Sequence, residues 1–465
     1  MQKALLFKIA IIGFLMVVIA IPLAMIESTI SERLRFRDEA VSSIIADSVG
    51  EQTILGPVLV LPYSDSFEVD EVIDADPKKT IRREHTVERL HYVFPNELRV
   101  KAGVDTDQRY RGIHKVLVYS GTHLISGDFV LPTEDVLRRE NSRSRLKLGT
   151  PYVALGLEDT RGLHNFPKIV WAGKTFEFKQ ESRLTRFPKG LHAPLDATDL
   201  SKVENVQFSL ELVLDGVERL SFVPIAKFNQ VTIKSKWPHP QFGGRFLPSP
   251  KDRSIGKDGF SATWNISALA TSAQQQLLEV SSKPAEGVAV AKAAAVLDHF
   301  SVAFIEPINI YSQAARAVKY GLLFIALTFA AFFLFEILKQ LPVHPVQYAL
   351  VGMSLALFFL LLVSLSEHMH FALAYLLASV ACIGLIGFYL AHVLRNWQRG
   401  FGFGLALSLL YGVLFGLLQS ENNALVLGAI LLFAVLAAIM VITRKVDWYH
   451  LGKTPVREDD ALAYD

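Results

Sequence analysis

From Tyr320 onward the chain carries five apolar runs separated by short polar stretches: Tyr320 to Phe335 and on to Leu338, Val346 to Ser366, Phe371 to Leu394, Phe401 to Leu418, and Ala424 to Thr443. Each is about 20 residues long, the length a helix needs to cross a bilayer core at its rise per residue. Soluble folds seldom bury five such helices in a row with loops this short. A sixth run, Ile9 to Ile26, reads IAIIGFLMVVIAIPLAMI without a charge and follows Lys3 and Lys8. A cleavable signal peptide has the same basic start. This run is longer than a signal core and lacks a small-x-small cleavage pattern, so an uncleaved anchor is expected. The sequence predicts six crossings.

Between the first and second runs lies a stretch of ordinary soluble character. The averages of 51% hydrophobic and 20% charged residues hide this division. Net charge is +2, with no clustered basic face, so nucleic acid is not an expected partner. Cys382 is the only cysteine and sits in an apolar run, which excludes an intramolecular disulfide and a cysteine zinc site.

Basic residues orient the bundle. Lys3 and Lys8 place the N-terminus inside, and Lys339 and His344 follow the second run. Arg395 and Arg399 lie between the fourth and fifth, and Arg444, Lys445, Lys453 and Arg457 in the tail. Both termini are then cytoplasmic, and the residues from Glu27 to Lys319 face outward. Arg316 and Lys319 run against the rule, but they abut a large translocated domain, where the rule is weak. Trp397, Trp448 and Tyr449 fall at the inner boundary. The expected domains are a transmembrane anchor over 1–26, an extracytoplasmic β-rich domain over 27–319 with helical segments leading in and out, a five-helix bundle over 320–443, and a tail over 444–465.

Within the outside domain, Ile30, Leu34, Val41, Ile44 and Ile45 have helical spacing and predict a helix continuing from the first crossing. Then come short runs rich in Val, Ile, Leu, Phe and Tyr: TILGPVLVLPY, ERLHYVFP, HKVLVYSGTHLISGDFVLP, YVALGLED, KIVWAGKTFEF, VQFSLELVLDG and FSATWNI. In VQFSLEL, Val206, Phe208, Leu210 and Leu212 share one face. That pattern predicts a mainly antiparallel, sandwich-like domain with one face of each sheet solvated. A helix is expected over Ala268 to Leu278, a linker over Ser281 to Gly287, and a helix from Phe304 to Lys319 with Ile308, Tyr311 and Ala315 on one face.

No HExxH, GxxxxGK[ST] or GxSxG pattern occurs, so no catalytic, cofactor or metal residues are assigned. What remains are polar or unusual positions. Glu336 is the one acid at membrane depth, where ionisable groups are functional hypotheses. It lies one turn before Lys339, and the two are expected to pair near the inner interface, with His344 and Gln347 close by. LSEHMHF, Leu365 to Phe371, puts Glu367, His368 and His370 between two runs. It reads as a wet turn rather than a metal site, since no third or fourth ligand is identifiable. Should that turn dock on the outside domain, Glu367 would meet a basic or donor group there. Trp237-Pro-His-Pro-Gln-Phe is either a recognition loop presenting Trp237, His239 and Phe242 or a rigid connector with Trp237 packed in the core. Gly400, Gly404, Ser408, Gly412 and Gly416 recur every fourth residue and predict a helix-packing seam, facing another helix of the chain or a second copy.

KYGLLFIALTFAAFFLFEIL and HPVQYALVGMSLALFFLLLVSLSEHMHFALAYLLASVACIGLIGFYLAHVL strongly resemble the CreD family of bacterial inner-membrane proteins. VDWY, WPHPQFGGRFLP, GFSATW, GPVLVLPY and RYRGIHKVLVY extend the resemblance over most of the chain. SVGEQT departs from it slightly, where the family often has a tryptophan before the glycine. The resemblance implies a cell-envelope integrity protein linked to stress responses and colicin tolerance, and brings no catalytic residues to carry over. Three functions are in view. The first is a non-enzymatic envelope protein whose outside domain binds or stabilises a periplasmic or membrane component. The second is a transporter or channel with Glu336, His344 and Gln347 lining an inner vestibule. The third is a membrane enzyme acting on lipid or wall precursors near Glu367 and His368. Lipid bilayer is an expected partner of all three.

Overall fold

The structure, a computed structural model, describes residues 2–73, 76–112, 114–196, 204–282, 297–306, 310–339, 343–393, 397–419 and 424–444. It divides into two compact units: a helical one, Met1–Phe36 with Ile308–Asp465, and a β-rich one, Arg37–Pro307.

The helical unit contains α1 (Gln2–Asp47, ending in the β-rich unit), α3 (Ile310–Lys339), α4 (Pro345–Ser366), α5 (Phe371–Val393), α6 (Trp397–Gln419) and α7 (Ala424–Thr443). Five of these are long and apolar enough to span a bilayer. α7 has the same character, its described apolar stretch running from Val426 to Val441. Helices suit this solvent because they satisfy every backbone group internally. Their outward faces carry Leu350, Leu376, Leu405 and Phe433, all exposed. Apolar residues on both faces are what lipid permits and water does not. Inward, α1 contributes Ile12, Ile19, Leu23, Ile26 and Ile30 to one core with Phe329, Phe332, Phe358 and Phe359. α1 enters this core closely: a side-chain carbon added to Gly352 of α4 would lie 2.1 Å from Ile19 Cδ1.

The β-rich unit is two sheets face to face. One comprises β1 (Gln52–Ile73), β2 (Asp76–Val93), β5 (Arg145–Leu148), β6 (Tyr152–Leu157), β9 (Lys179–Gln180), β10 (Leu191–Pro194), β12 (Arg219–Val223), β14 (Pro240–Gly244) and β17 (Phe300–Phe304). Its order is β14-β17-β12-β1-β6-β10-β9, with β2 and β5 also on β1. The other comprises β3 (Glu97–Arg111), β4 (His114–Leu131), β7 (Lys168–Trp171), β8 (Lys174–Glu177), β11 (Glu204–Val217), β13 (Phe228–Ser235), β15 (Arg253–Gly256) and β16 (Gly259–Ser267), in the order β15-β16-β13-β3-β4-β11-β7-β8. Pairing is mainly antiparallel, with β1–β12 and β3–β13 parallel.

Alternation along the strands builds the core. Phe208 of β11 meets Phe129 at 5.2 Å between ring centres, and Trp264 of one sheet stacks on Phe300 of the other at 5.0 Å. GPVLVLPY reads as nearly continuous apolar residues because β1 is covered on both sides. Leu59, Leu61 and Tyr63 face the sandwich core. Val58 and Val60 face a second core under residues 184–187 and α2 (Ala273–Ser282).

Several local expectations shift. The helix expected from Ala268 begins at Ala273, after a short 3₁₀ turn at Ala268–Ala270. The cause is Asp298, buried, which accepts the Ser272 N–H at 2.9 Å and the Arg245 guanidinium at 2.6 Å. Burial would raise its pKa, but these donors outweigh burial and hold it at about 2. Phe304, expected to open a helix, instead ends strand β17, and α3 begins only at Ile310. Ile308 and most of the expected 281–287 linker lie outside the described residues. Asp159 and Arg161 hold the end of α1: the guanidinium donates to the Ala46 and Ile45 carbonyls at 2.8 and 3.1 Å, satisfying groups a helix leaves open.

His123 stands apart in the sandwich core. It is fully buried, neither ring nitrogen has a partner, and Phe222 meets it edge-on at 6.0 Å. Burial lowers its pKa from 6.5 to about 4. The unfolded chain therefore binds the proton first. Stability is full above pH 6.5, falls as pH drops toward 4, and is flat below. The difference of 6.5 − 4 corresponds to roughly 3 kcal/mol. His123→Phe should remove most of the loss in unfolding midpoint between pH 7 and pH 5, measured by tryptophan fluorescence in denaturant.

Candidate functional site

At one end of the helical unit, LSEHMHF is the connection between α4 and α5. Glu367 caps α4. His370 O accepts the Leu373 N–H at 2.9 Å as α5 starts. Glu367 receives Arg33 Nε at 3.2 Å and the Tyr311 hydroxyl at 3.4 Å. Both donors come from the span assigned by sequence to the outside domain, but they lie on α1 and α3 within the helical unit. His368 and His370 are exposed, and His368 Nδ1 turns back to the Ser364 carbonyl at 3.2 Å. Among the described residues no three His, Cys, Asp or Glu side chains converge as metal ligands.

At the other end Glu336 is 8% exposed. Its expected partner was Lys339, whose side chain lies outside the described residues. Among the described residues, Lys8 of α1 donates to Oε1, the Val343 N–H donates to the same oxygen at 3.2 Å, and the Tyr348 hydroxyl donates to Oε2 at 2.9 Å. The carboxylate thus joins α1, α3 and α4. His344 and Gln347, expected beside it, form a capping box: His344 Nδ1 accepts the Val346 N–H at 3.3 Å, and Gln347 Oε1 accepts the His344 N–H at 3.2 Å. A capping box satisfies donors that the start of α4 would leave open. The sequence showed Lys8 only as an orienting charge, and nothing in it marked Tyr348.

In mid-bundle the polar groups are uncharged. Tyr411 donates to Cys382 Sγ at 3.2 Å, Cys382 to the Ser354 carbonyl at 3.4 Å, and Tyr375 to the Tyr411 carbonyl at 2.8 Å. These bonds stitch α4, α5 and α6 together. The small-residue ridge on α6 divides. At Gly400 an added carbon would sit 2.7 Å from Ala391, so α5 and α6 touch there. At Gly404 the nearest contact is 3.9 Å away, at Gly412 and Gly416 none lies within 4 Å, and Ser408 is exposed. A groove of about 290 Å³ opens between the two helices beside Gly404 and Ser408.

In the β-rich unit, Trp237 Nε1 donates to both the His239 and Ile305 carbonyls at 3.1 Å, and its ring packs against the sandwich core. Phe242, on edge strand β14, meets Phe260 and Trp264 edge-on at 5.8 and 5.5 Å. Of this trio only His239 is presented to solvent. Gly244 closes the segment at φ +85°, where an added carbon would lie 2.3 Å from the His299 carbonyl.

Apolar helices bracketing a large two-sheet unit, with one buried carboxylate neutralised between helices, define an α+β multi-pass membrane protein. The chain belongs to the CreD family. Residues 4–449 match the family described as Inner membrane protein CreD. It is 33% identical over 446 residues to the Inner membrane protein CreD of Escherichia coli (strain K12), an alignment covering 96% of this chain and 94% of that one. The chain is accordingly an inner-membrane protein.

Lys8→Met should strand the Glu336 carboxylate. The cost is about 2 kcal/mol, below that of a fully buried pair because part of Lys8 meets solvent. Adding Glu336→Gln should restore most of the loss. Helical unfolding of the detergent-solubilised protein, followed by circular dichroism, reads both.

Proposed function

We propose that the chain is a non-enzymatic inner-membrane protein that contributes to cell-envelope integrity and to tolerance of stress and colicins. Its β-rich unit lies in the periplasm and binds or stabilises an envelope component. The helices, α1 included, are its permanent anchor, with both termini in the cytoplasm as the basic loops direct.

The observation that carries this reading is the state of Glu336. A carboxylate on a transport path must be free to release and rebind a charge. Both of its oxygens are instead held by Lys8, Tyr348 and the Val343 N–H. His344 and Gln347 are spent on the cap of α4 rather than on a vestibule. The enzyme reading asks Glu367 and His368 to converge on a cleft, whereas Glu367 turns to Arg33 and Tyr311, and His368 to the backbone.

Photo-crosslinking residues placed at His239 and Leu247, both exposed, test the reading in living cells. Capture of a defined lipid, wall fragment or periplasmic protein is expected. No capture, together with ion or solute flux through proteoliposomes, would reverse the assignment toward a transporter.

A further inference from the structure

The face of the nine-stranded sheet turned away from the sandwich core carries a cluster that none of the functions above uses. Register assembles it. Val60 of β1 lies opposite Tyr92 across β2 and opposite Tyr152 across β6, so the two phenols flank one small residue in a single row. One step along, His192 lies opposite Ala154, its ring 5.8 Å from that of Tyr152.

The segment from Glu181 to Gly190 folds over this row. Glu181 and Arg183 adopt left-handed backbone, at φ 69° and 61°, on either side of fully buried Ser182. Such backbone is uncommon for these residue types and persists where its surroundings enforce it. Here Ser182 enforces it. Its hydroxyl donates to the Phe187 carbonyl and accepts the Leu184 N–H at 2.9 Å. Leu184 and Phe187 are buried below. The result of the kink is the placement of Arg183, whose guanidinium lies 5.3 Å from the centre of the Tyr152 ring.

The cluster is rich in donors and short of acceptors. Arg183, Arg186 and Lys189 come within seven residues of one another, and among the described residues none forms an ion pair. Arg89, Arg111, Arg161 and Arg245 elsewhere in the unit each have one. Neither phenol hydroxyl has a hydrogen-bond partner among the described residues. Arg186 Nε is buried without a partner. His192, 4% exposed, gives Nδ1–H to the Glu181 carbonyl at 2.5 Å, which leaves its buried Nε2 an unused acceptor. Burial and the neighbouring Tyr92 push the Tyr152 hydroxyl up to about 12 despite Arg183, so it remains a proton donor throughout the physiological range.

Two hydroxyl donors and a guanidinium outside any ion pair, gathered on one sheet face with a buried acceptor nitrogen, match an oxyanion that can also carry a proton. We infer that Tyr92, Tyr152, Arg183 and His192 form a binding site for a phosphomonoester group, carried either by a soluble phosphate compound or by a lipid headgroup that ends in a phosphomonoester. Tyr92 and Tyr152 donate to two of its oxygens, Arg183 to a third, and His192 Nε2 accepts a hydrogen bond from the P–OH of the monoprotonated form. Arg186 and Lys189 supply the surrounding positive potential. The inference rests on the reading of the β-rich unit as the part that binds an envelope component, and it names the chemistry of that component.

The full chain in a phosphate-free maltoside detergent is titrated calorimetrically with inorganic phosphate and, separately, with dihexanoylphosphatidic acid below its micelle concentration. Binding of inorganic phosphate identifies a soluble phosphate compound. Binding of the lipid alone identifies a headgroup site. In either case Tyr152→Phe and Arg183→Asn, the latter tolerant of left-handed backbone, should each weaken binding about tenfold or more. Lys168→Gln, on the other sheet, should leave it unchanged. Unfolding curves establish that the variants are folded. Binding of neither probe, or equal binding by wild type and both variants, overturns the site. Such a failure leaves the in-cell capture experiment free to succeed, and the two readings part there.

Discussion

An ionised carboxylate among apolar helices is tolerable only if its charge and its lone pairs are both met, because lipid offers neither counter-ion nor water. Glu336 is met by three elements at once: Lys8 from α1, Tyr348 from α4 and the Val343 N–H ahead of α4. Segments more than three hundred residues apart in the chain are thereby held together at one end of the helical unit. Ile19 against Gly352 continues the same α1–α4 contact with dispersion alone. At the opposite end Arg33 and Tyr311 meet Glu367, tying α1, α3 and the α4–α5 turn. Hydrophobicity cannot select partners among helices that lipid solvates equally well, so these directional contacts and the small residues do it.

The β-rich unit meets the opposite problem. It holds together without a disulfide, chiefly on apolar burial, and the first half of β1 is covered on both faces. The polar groups it does bury are mostly satisfied in compact hubs such as Asp298 and the Asp159–Arg161 pair. Exceptions such as His123, and the partnerless donors around Tyr152, are therefore conspicuous. The first is a site where pH reaches the stability of the sandwich. The second is a surface whose polar groups lack partners within the chain.

Much of the architecture was legible in sequence because the two solvents leave different periodicities. Each apolar run lies in a helix: those expected at Val346, Phe371 and Ala424 start within a residue of their expected positions, whereas the helices of the first, second and fifth runs reach well beyond the apolar stretch. VQFSLEL alternates in the structure as it does on paper, with Val206, Phe208, Leu210 and Leu212 buried. Strand β17 was not expected because it is only five residues long and its last residue, Phe304, was read as the start of the helix leading into the second crossing. The late start of α2 depended on Asp298, a residue twenty-six positions beyond the Ser272 amide it caps. LSEHMHF read as a turn from its polarity and length alone, but nothing local announced that Glu367 would be claimed by Arg33 and Tyr311.

By itself, then, the sequence determined which segments enter lipid, which fold in water, and which strand faces are apolar. Those properties follow from hydropathy and from the short-range periods of helix and strand. Tertiary structure alone decided the pairings: Lys8 brought to Glu336 from the other end of the chain, an open rather than a filled seam beyond Gly404, and two tyrosines brought together by the register of β2 and β6 on β1. Such contacts join residues tens to hundreds of positions apart. Their geometry is set by which faces meet when the chain packs, information that no local window of sequence contains.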